Sequence, residues 1–479
     1  MPRSDATVRR TGLASFLSSV VFALTGGCGE SVRHDVRAVA PQAAIPIVHR
    51  APQAPADASP RPRDAAPDAV PPAAPAPSPL HNSAALRRFY EALAHLDDRA
   101  ASDDVRIVQF GDSHTAADME TGAVRRALQT RFGDGGRGFV AIGRPYAPYV
   151  QDAVRAGMSR EWLTSLKPPR GRPGATDGCY GLSGSCILGA AHGGRAWVDV
   201  AAPTARIEVS YLEQPAGGSF EVYVDDVRKV RIATRSRAVT SAFRAIDVPE
   251  ASHHVEVRTG GDGAVRLFGV ALDRPTAGVT LDALGINGAR VTTALGWNEA
   301  HMADQLRHRD PDLVIVAYGT NESGDDTPKA VYERQVVDLL GRVSRATPAA
   351  ACLLLGPPDR AILTPAGWAT SPKLVEIVES QRAVAEAAGC AFYDQLQAMG
   401  GPGTIAAWAD QQPPRARRDR VHLLREGYTQ LGEAFAAEIE RSYAAWRTET
   451  GRPPAAPPAD PTLISSREAR AKRTPTARW

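Results

Sequence analysis

The chain has 479 residues, room for two or three domains of ordinary size. Hydrophobic residues make up 43% and charged residues 23%, with a net charge of +3, so a sizeable core is feasible and the charge balance gives no argument for nucleic-acid binding. No Cys/His cluster has metal-ligand spacing, which argues against a zinc site, and no cofactor is expected.

At the N-terminus Arg3, Arg9 and Arg10 precede a short apolar run from Gly12 to Leu24. A spanning helix needs about 20 apolar residues, so residues 1–28 read as an export signal peptide. The run closes in Leu24-Thr25-Gly26-Gly27-Cys28, which resembles a bacterial lipoprotein box, with Thr25 where a larger aliphatic residue is usual. Cys28 is therefore the candidate lipidation site. The expected location is the cell envelope, periplasm or outer membrane, with a lipid anchor. Residues 29–82 are rich in Ala and Pro, cannot bury enough apolar surface to offset chain entropy, and read as a disordered tether. Four cysteines remain beyond Cys28. In an oxidising compartment they suggest two disulfides, Cys179–Cys186 and Cys352–Cys390.

Strand and helix patterns then alternate. Helical spacing covers Leu86–Leu96 and Met119–Phe132, and Val105–Phe110 is a buried strand between them. Later come strands at Leu313–Ala317, Cys352–Leu355 and Cys390–Tyr393, separated by helices at Ala330–Val343 and Lys373–Ala388. A long helix, Glu426–Trp446, is last. This order indicates a parallel sheet with helices on both faces, an α/β domain over 83–177 and 276–447. Between its halves, 178–275 shows two-residue alternation, as in Phe220-Glu221-Val222-Tyr223-Val224, with glycine-rich turns; it reads as an inserted antiparallel β-sandwich. Residues 448–479 form a basic, disordered tail.

Chemistry concentrates just past the strands. Gly111-Asp112-Ser113 puts a hydroxyl at the mouth of a helix, where α/β folds present ligands; alone, such a turn is an ordinary helix cap. Asp419-Arg420-Val421-His422 places a carboxylate three residues before a histidine, ahead of the last helix. Serine is a poor nucleophile without a base, and a carboxylate fixes that base's tautomer. After the Leu313–Ala317 strand, Gly319-Thr320-Asn321 offers a side-chain N–H to an oxyanion, and Gly288 offers a backbone N–H unshielded by a Cβ.

In order and spacing these four pieces resemble the SGNH (GDSL-like) hydrolase superfamily, over about residues 83–170 and 276–447; Gly356-Pro357-Pro358-Asp359 resembles a further loop of that family. The resemblance implies a flavodoxin-like three-layer α/β/α fold and ester hydrolysis through an acyl-enzyme on Ser113. His422 is then the base and Asp419 its orienting group. Ser113 N–H, Gly288 N–H and Asn321 form the oxyanion hole. His114 departs from the pattern, since leucine usually follows the serine.

An SGNH domain interrupted by a carbohydrate-binding-like β-sandwich is similar to bacterial peptidoglycan O-acetylesterases, which implies an O-acetylated cell-envelope glycan as substrate. Trp162, Tyr180, Trp197 and Tyr211 are candidate sugar-stacking residues, although Trp197 and Tyr211 also suit a sandwich core. Other readings remain: a lipid or aryl esterase, a polysaccharide O-acyltransferase, or a non-catalytic glycan-binding envelope protein.

Overall fold

The structure is a computed structural model and describes residues 77–101, 103–164 and 175–453. The expected signal peptide, Cys28, most of the tether and most of the tail lie outside the described residues. The central sheet is built from β1 (Val105–Gly111), β2 (Val279–Gly285), β3 (Leu313–Ala317), β4 (Ala351–Leu355) and β5 (Ala391–Tyr393). These strands run parallel in the order β2-β1-β3-β4-β5, the flavodoxin-like arrangement. Around them lie α1 (Arg87–Asp97), the short α2 (Ser113–Ala116), α3 (Glu120–Phe132), α4 (Glu299–Arg309), α5 (Lys329–Ala346), α6 (Pro372–Ala387) and α7 (Arg425–Glu449).

Strands buried on both faces need apolar residues in near-continuous runs, and β1, β3 and β4 have them. Along β1, Val105 and Ile107 turn toward one layer, where they meet α1, α3 and α7 through Phe89, Val124 and Phe435. Val108 and Phe110 turn the other way, toward Leu306 of α4, Leu339 of α5 and Ile377 of α6. In α7 the buried Tyr428, Leu431, Phe435, Ile439 and Tyr443 recur every third or fourth residue, which makes one apolar stripe. Pro372 opens α6 at a position where a missing N–H costs nothing.

Order begins earlier than the composition of 29–82 suggests. Leu80–His81 pairs antiparallel with β5 along the sheet's outer edge. Leu80 is buried there, and Ser78 donates to Glu438 of α7 at 2.7 Å. One apolar residue after a proline run is enough to cap an open edge, a contact that local composition does not reveal.

A second, nine-stranded sheet is antiparallel. Its long strands, Arg195–Glu213 and Thr240–Thr259, pair along most of their length, with register shifts between Asp247 and His253. Inward residues change phase along the first strand, from Ala196, Val198 and Val200 to Ile207, Val209 and Tyr211, so it bends around one apolar core. The sheet also takes in Gly136–Val140, Val154–Met158 and Trp162–Thr164, ahead of the expected start at 178. Those strands are short, and the first two contain glycine, which hid them from a periodicity reading.

Within the insert, Trp162 and Tyr211 are buried in that core and are not sugar platforms. The hydroxyl of Tyr180 donates to Ala175 O at 3.0 Å, and Trp197 is half-buried beside His254. The cysteine pairing needs one correction. Cys352–Cys390 is a disulfide joining β4 to the approach of β5, with Cα atoms 4.8 Å apart. Cys179 and Cys186 are not joined. The loop between them is folded by Gly181 lying against Phe268 and Gly184 against Trp297, and both thiols pack into a small apolar cluster with Leu212 and Phe268.

Candidate active site

Gly285, Gly111 and Ala317 are register partners at the carboxyl ends of β2, β1 and β3. The loops that follow therefore leave the sheet at one level, beside the β1/β3 boundary where the strand order reverses and α/β folds bind ligands. Ser113 opens α2 there. Asp112 caps that helix, its carboxylate accepting the His114 N–H at 3.0 Å. Burial pushes the Asp112 carboxyl up to about 7, against the opposing pull of that N–H. A Cβ at Gly285 would lie 2.0 Å from Ala116 N, so glycine is what admits α2 so close to the end of β2.

His422 reaches Ser113 from the opposite end of the chain. Its Nε2 lies 3.0 Å from Ser113 Oγ, and its Nδ1 lies 2.9 Å from Asp419 Oδ2. With Nδ1–H turned to the carboxylate, Nε2 presents its lone pair to the hydroxyl. The turn is tight: Arg417 N–H donates to His422 O at 2.8 Å, and Asp419 Oδ1 accepts the N–H groups of Val421 and His422, each at 3.0 Å. Partial burial raises the Asp419 carboxyl, but those N–H groups and the imidazole outweigh it and hold the group below the usual carboxylate range. The pair is open to solvent, with side chains 36% and 45% exposed for His422 and Asp419.

His114, the departure from the short serine motif, is buried behind this pair. Its ring stacks on His422 at 5.6 Å, and its Nδ1 is 3.0 Å from the Tyr428 hydroxyl of α7. Burial first, and then the neighbouring imidazole, push His114 down to about 3. It is a neutral wall against one face of His422 at neutral pH.

The other two loops are tied to each other. Gly288 has a φ of +77°, the left-handed region that favours glycine, with open space where a Cβ would stand. The side-chain N–H of Asn321 donates to Ala289 O at 2.9 Å. An amide nitrogen has two hydrogens, so this bond orients the second and leaves it available. Glu322, buried, accepts the Val291 N–H at 2.8 Å and the Gly319 N–H at 3.1 Å, lacing the same two loops. On the β2 side the insert closes in: Tyr146 O–H donates to Gly285 O at 2.6 Å, and Asn287 donates to Pro148 O at 3.3 Å.

A protein-family model for the GDSL-like lipase/acylhydrolase family matches residues 251–430. A solved structure described as a peptidoglycan O-acetylesterase in action is similar at 25% identity and a TM-score of 0.65, covering 77% of this chain and 100% of its own. This chain carries a GDSL-like hydrolase domain and is an ester hydrolase. A family two carbohydrate esterase from Clostridium thermocellum, solved with cellohexaose, also aligns, at 12% identity and a TM-score of 0.24, over 53% of this chain and 94% of its own. No curated protein sequence matches.

In this ester hydrolase the family match begins inside the second sheet, and Ser113 lies ahead of it, because the insert separates β1 from β2. Sequence reasoning named Ser113, Asp419, His422, Asn321 and Gly288 but gave no role to Glu322, Tyr428 or Tyr146. Glu322 stood next to a named motif, and a carboxylate following Gly-Thr-Asn was the available signal. Tyr428 and Tyr146 carried none, since their partners are 314 and 139 residues away in the chain.

Proposed function

We propose that Ser113 is the nucleophile, His422 the base and Asp419 its orienting group, with Ser113 N–H, Gly288 N–H and Asn321 as the oxyanion hole. The enzyme is then an exported esterase that removes O-acetyl groups from a cell-envelope glycan. His422 Nε2 takes the Ser113 proton as Oγ attacks the acetyl carbonyl. The resulting oxyanion is held by the three donors, and the protonated imidazole, stabilised by Asp419, returns its proton to the departing sugar oxygen. Water, deprotonated by His422, then attacks acetyl-Ser113 and releases acetate.

The observation that carries this reading is the continuous Ser113–His422–Asp419 relay at 3.0 and 2.9 Å on an open surface. A solvent-exposed base suits a bulky polymeric leaving group better than an acyl chain threaded into a closed groove. The peptidoglycan O-acetylesterase likeness supports the substrate class, and the Cys352–Cys390 disulfide supports an oxidising compartment. A serine-directed fluorophosphonate should label Ser113 in the native protein and not in His422→Ala. Acetate release from O-acetylated peptidoglycan should exceed hydrolysis of long-chain esters. Labelling elsewhere would remove the nucleophile assignment, and a preference for long acyl chains would remove the glycan.

A further inference from the structure

The loop that carries Asp419 and His422 is rich in arginine. Arg415, Arg417, Arg418, Arg420 and Arg425 fall within eleven consecutive positions, and among the described residues only Arg420 has a carboxylate partner, Asp410 at 2.7 Å. The other four are exposed. Through the Ala416–Leu423 bridge, Arg417 stands directly across from His422. Asp419, the acid within this run, already serves His422. The rim of the site thus presents uncompensated positive charge beside the base.

Against this loop lies a hairpin of strands Ala361–Thr364 and Gly367–Thr370. Ala361 N–H donates to Arg420 O at 3.0 Å, which fixes the hairpin to the His422 loop. The Arg420 guanidinium sits 4.3 Å from the centre of the Trp368 ring, covering one face, while the residue stays 40% exposed. A flat ring backed by a cation and open on its other side is a stacking platform. Leu363, its cross-strand partner, is also exposed.

We propose that Trp368 and the arginines of the His422 loop form one recognition surface for an anionic glycan, a sugar ring stacking on Trp368 and nearby carboxylates meeting Arg415, Arg417, Arg418 and Arg425. This names the charge of the substrate and rests on the reading of the enzyme as a glycan esterase. The alternative occupant is an anionic bilayer. The hairpin's shape favours the glycan: its tip is Thr364-Pro365-Ala366-Gly367, small residues with no large apolar wedge, and its bulky side chains lie on the stem. Three of the four arginines on the loop that carries the base, and Arg425 at the first position of α7, supply charge complementarity beside the His422–Ser113 pair.

Two measurements test this. The first is binding, independent of turnover: Ser113→Ala protein is titrated with polygalacturonate and with dextran as the neutral control. Polygalacturonate should bind at least tenfold tighter, weaken as salt rises from about 50 to 500 mM, and lose that advantage in Arg417→Glu/Arg418→Glu, with Arg417→Lys/Arg418→Lys retaining it. Trp368→Ala should weaken both polymers, and Trp368→Phe should restore binding. The second is turnover: the ratio of kcat/KM on acetylated polygalacturonate to that on acetylated cello-oligosaccharide should fall tenfold or more in the Glu variant, mainly through KM. Equal binding of the two polymers, or binding indifferent to charge reversal, overturns the proposal. So does loss of phosphatidylglycerol-vesicle binding in the Glu variant with polymer binding unchanged. Charge-selective binding without deacetylation of any glycan would instead overturn the esterase substrate reading and leave the surface standing.

Discussion

Asn321 has its amide oriented before any substrate arrives, because one N–H is engaged by Ala289 O at 2.9 Å. Electrostatic stabilisation is most effective when donors need no reorganisation as charge develops. Asn321→Ala should therefore lower kcat by about a hundredfold or more with little change in KM, the usual effect of removing one oxyanion donor; steady-state kinetics on an acetyl ester measure this. Glu120, at the start of α3, behaves differently. It is buried and hydrogen-bonded by Gln395, and burial pushes its carboxyl from 4.5 up to about 8. Below the lower value the group is neutral in both folded and unfolded chains. As pH rises between the two values, the unfolded chain ionises while the folded one holds its proton, so stability is lost, and the loss levels off above the higher value. Glu120→Gln, which cannot ionise, should stabilise the protein by an increment that grows from pH 5 to pH 8. Urea unfolding at the two pH values checks the sign, and a constant increment would count against it.

At the scale of elements, those with strong periodicity or continuous apolar runs were legible. The Leu313–Ala317 strand was expected at its observed bounds, and the helices now described as α5, α6 and α7 were displaced by only a few residues at their ends. Frayed ends are where local pattern is weakest. Short strands fared worse: Leu80–His81 and Gly136–Val140 owe their existence to a partner edge, β5 and Val265–Asp273 respectively, that is far away in the chain. The Cys352–Cys390 bridge belongs to this scale too, closing a separation of 38 residues around α6. In the chain-entropy picture a loop of that size contributes about 4 kcal/mol through the unfolded state. Cys352→Ala/Cys390→Ala should lower unfolding stability by a comparable amount, measured with guanidinium, and reduction of the native protein should reproduce the loss.

For the whole molecule, the insert is the decisive feature. It separates β1 from β2 by a nine-stranded sheet, yet returns the chain so that Gly285 pairs beside Gly111. A buried ionic junction holds the two parts together: Asp118 accepts from Arg125 at 3.2 Å and from the buried Arg137 of Gly136–Val140. Export and anchoring also belong to this scale. If Cys28 is lipidated, Cys28→Ser should move the protein from the membrane fraction to the soluble fraction, and unchanged fractionation would argue against an anchor there.

Residue identity and order alone determined which side chains were capable of the chemistry. A serine after a buried strand, Asn321 after another and Asp419-Arg420-Val421-His422 before the last helix are local patterns, and strand-helix alternation implied a parallel sheet whose carboxyl edge gathers them. Distances across 309 residues are not local, and only the folded chain decided that His422 Nε2 stands 3.0 Å from Ser113 Oγ. The tertiary structure alone also separated Cys179 from Cys186 chemically, buried His114 against His422, and set Trp368 under Arg420. Each depends on which surfaces meet after packing, and that is set by the complementarity of whole layers rather than by any stretch of sequence read by itself.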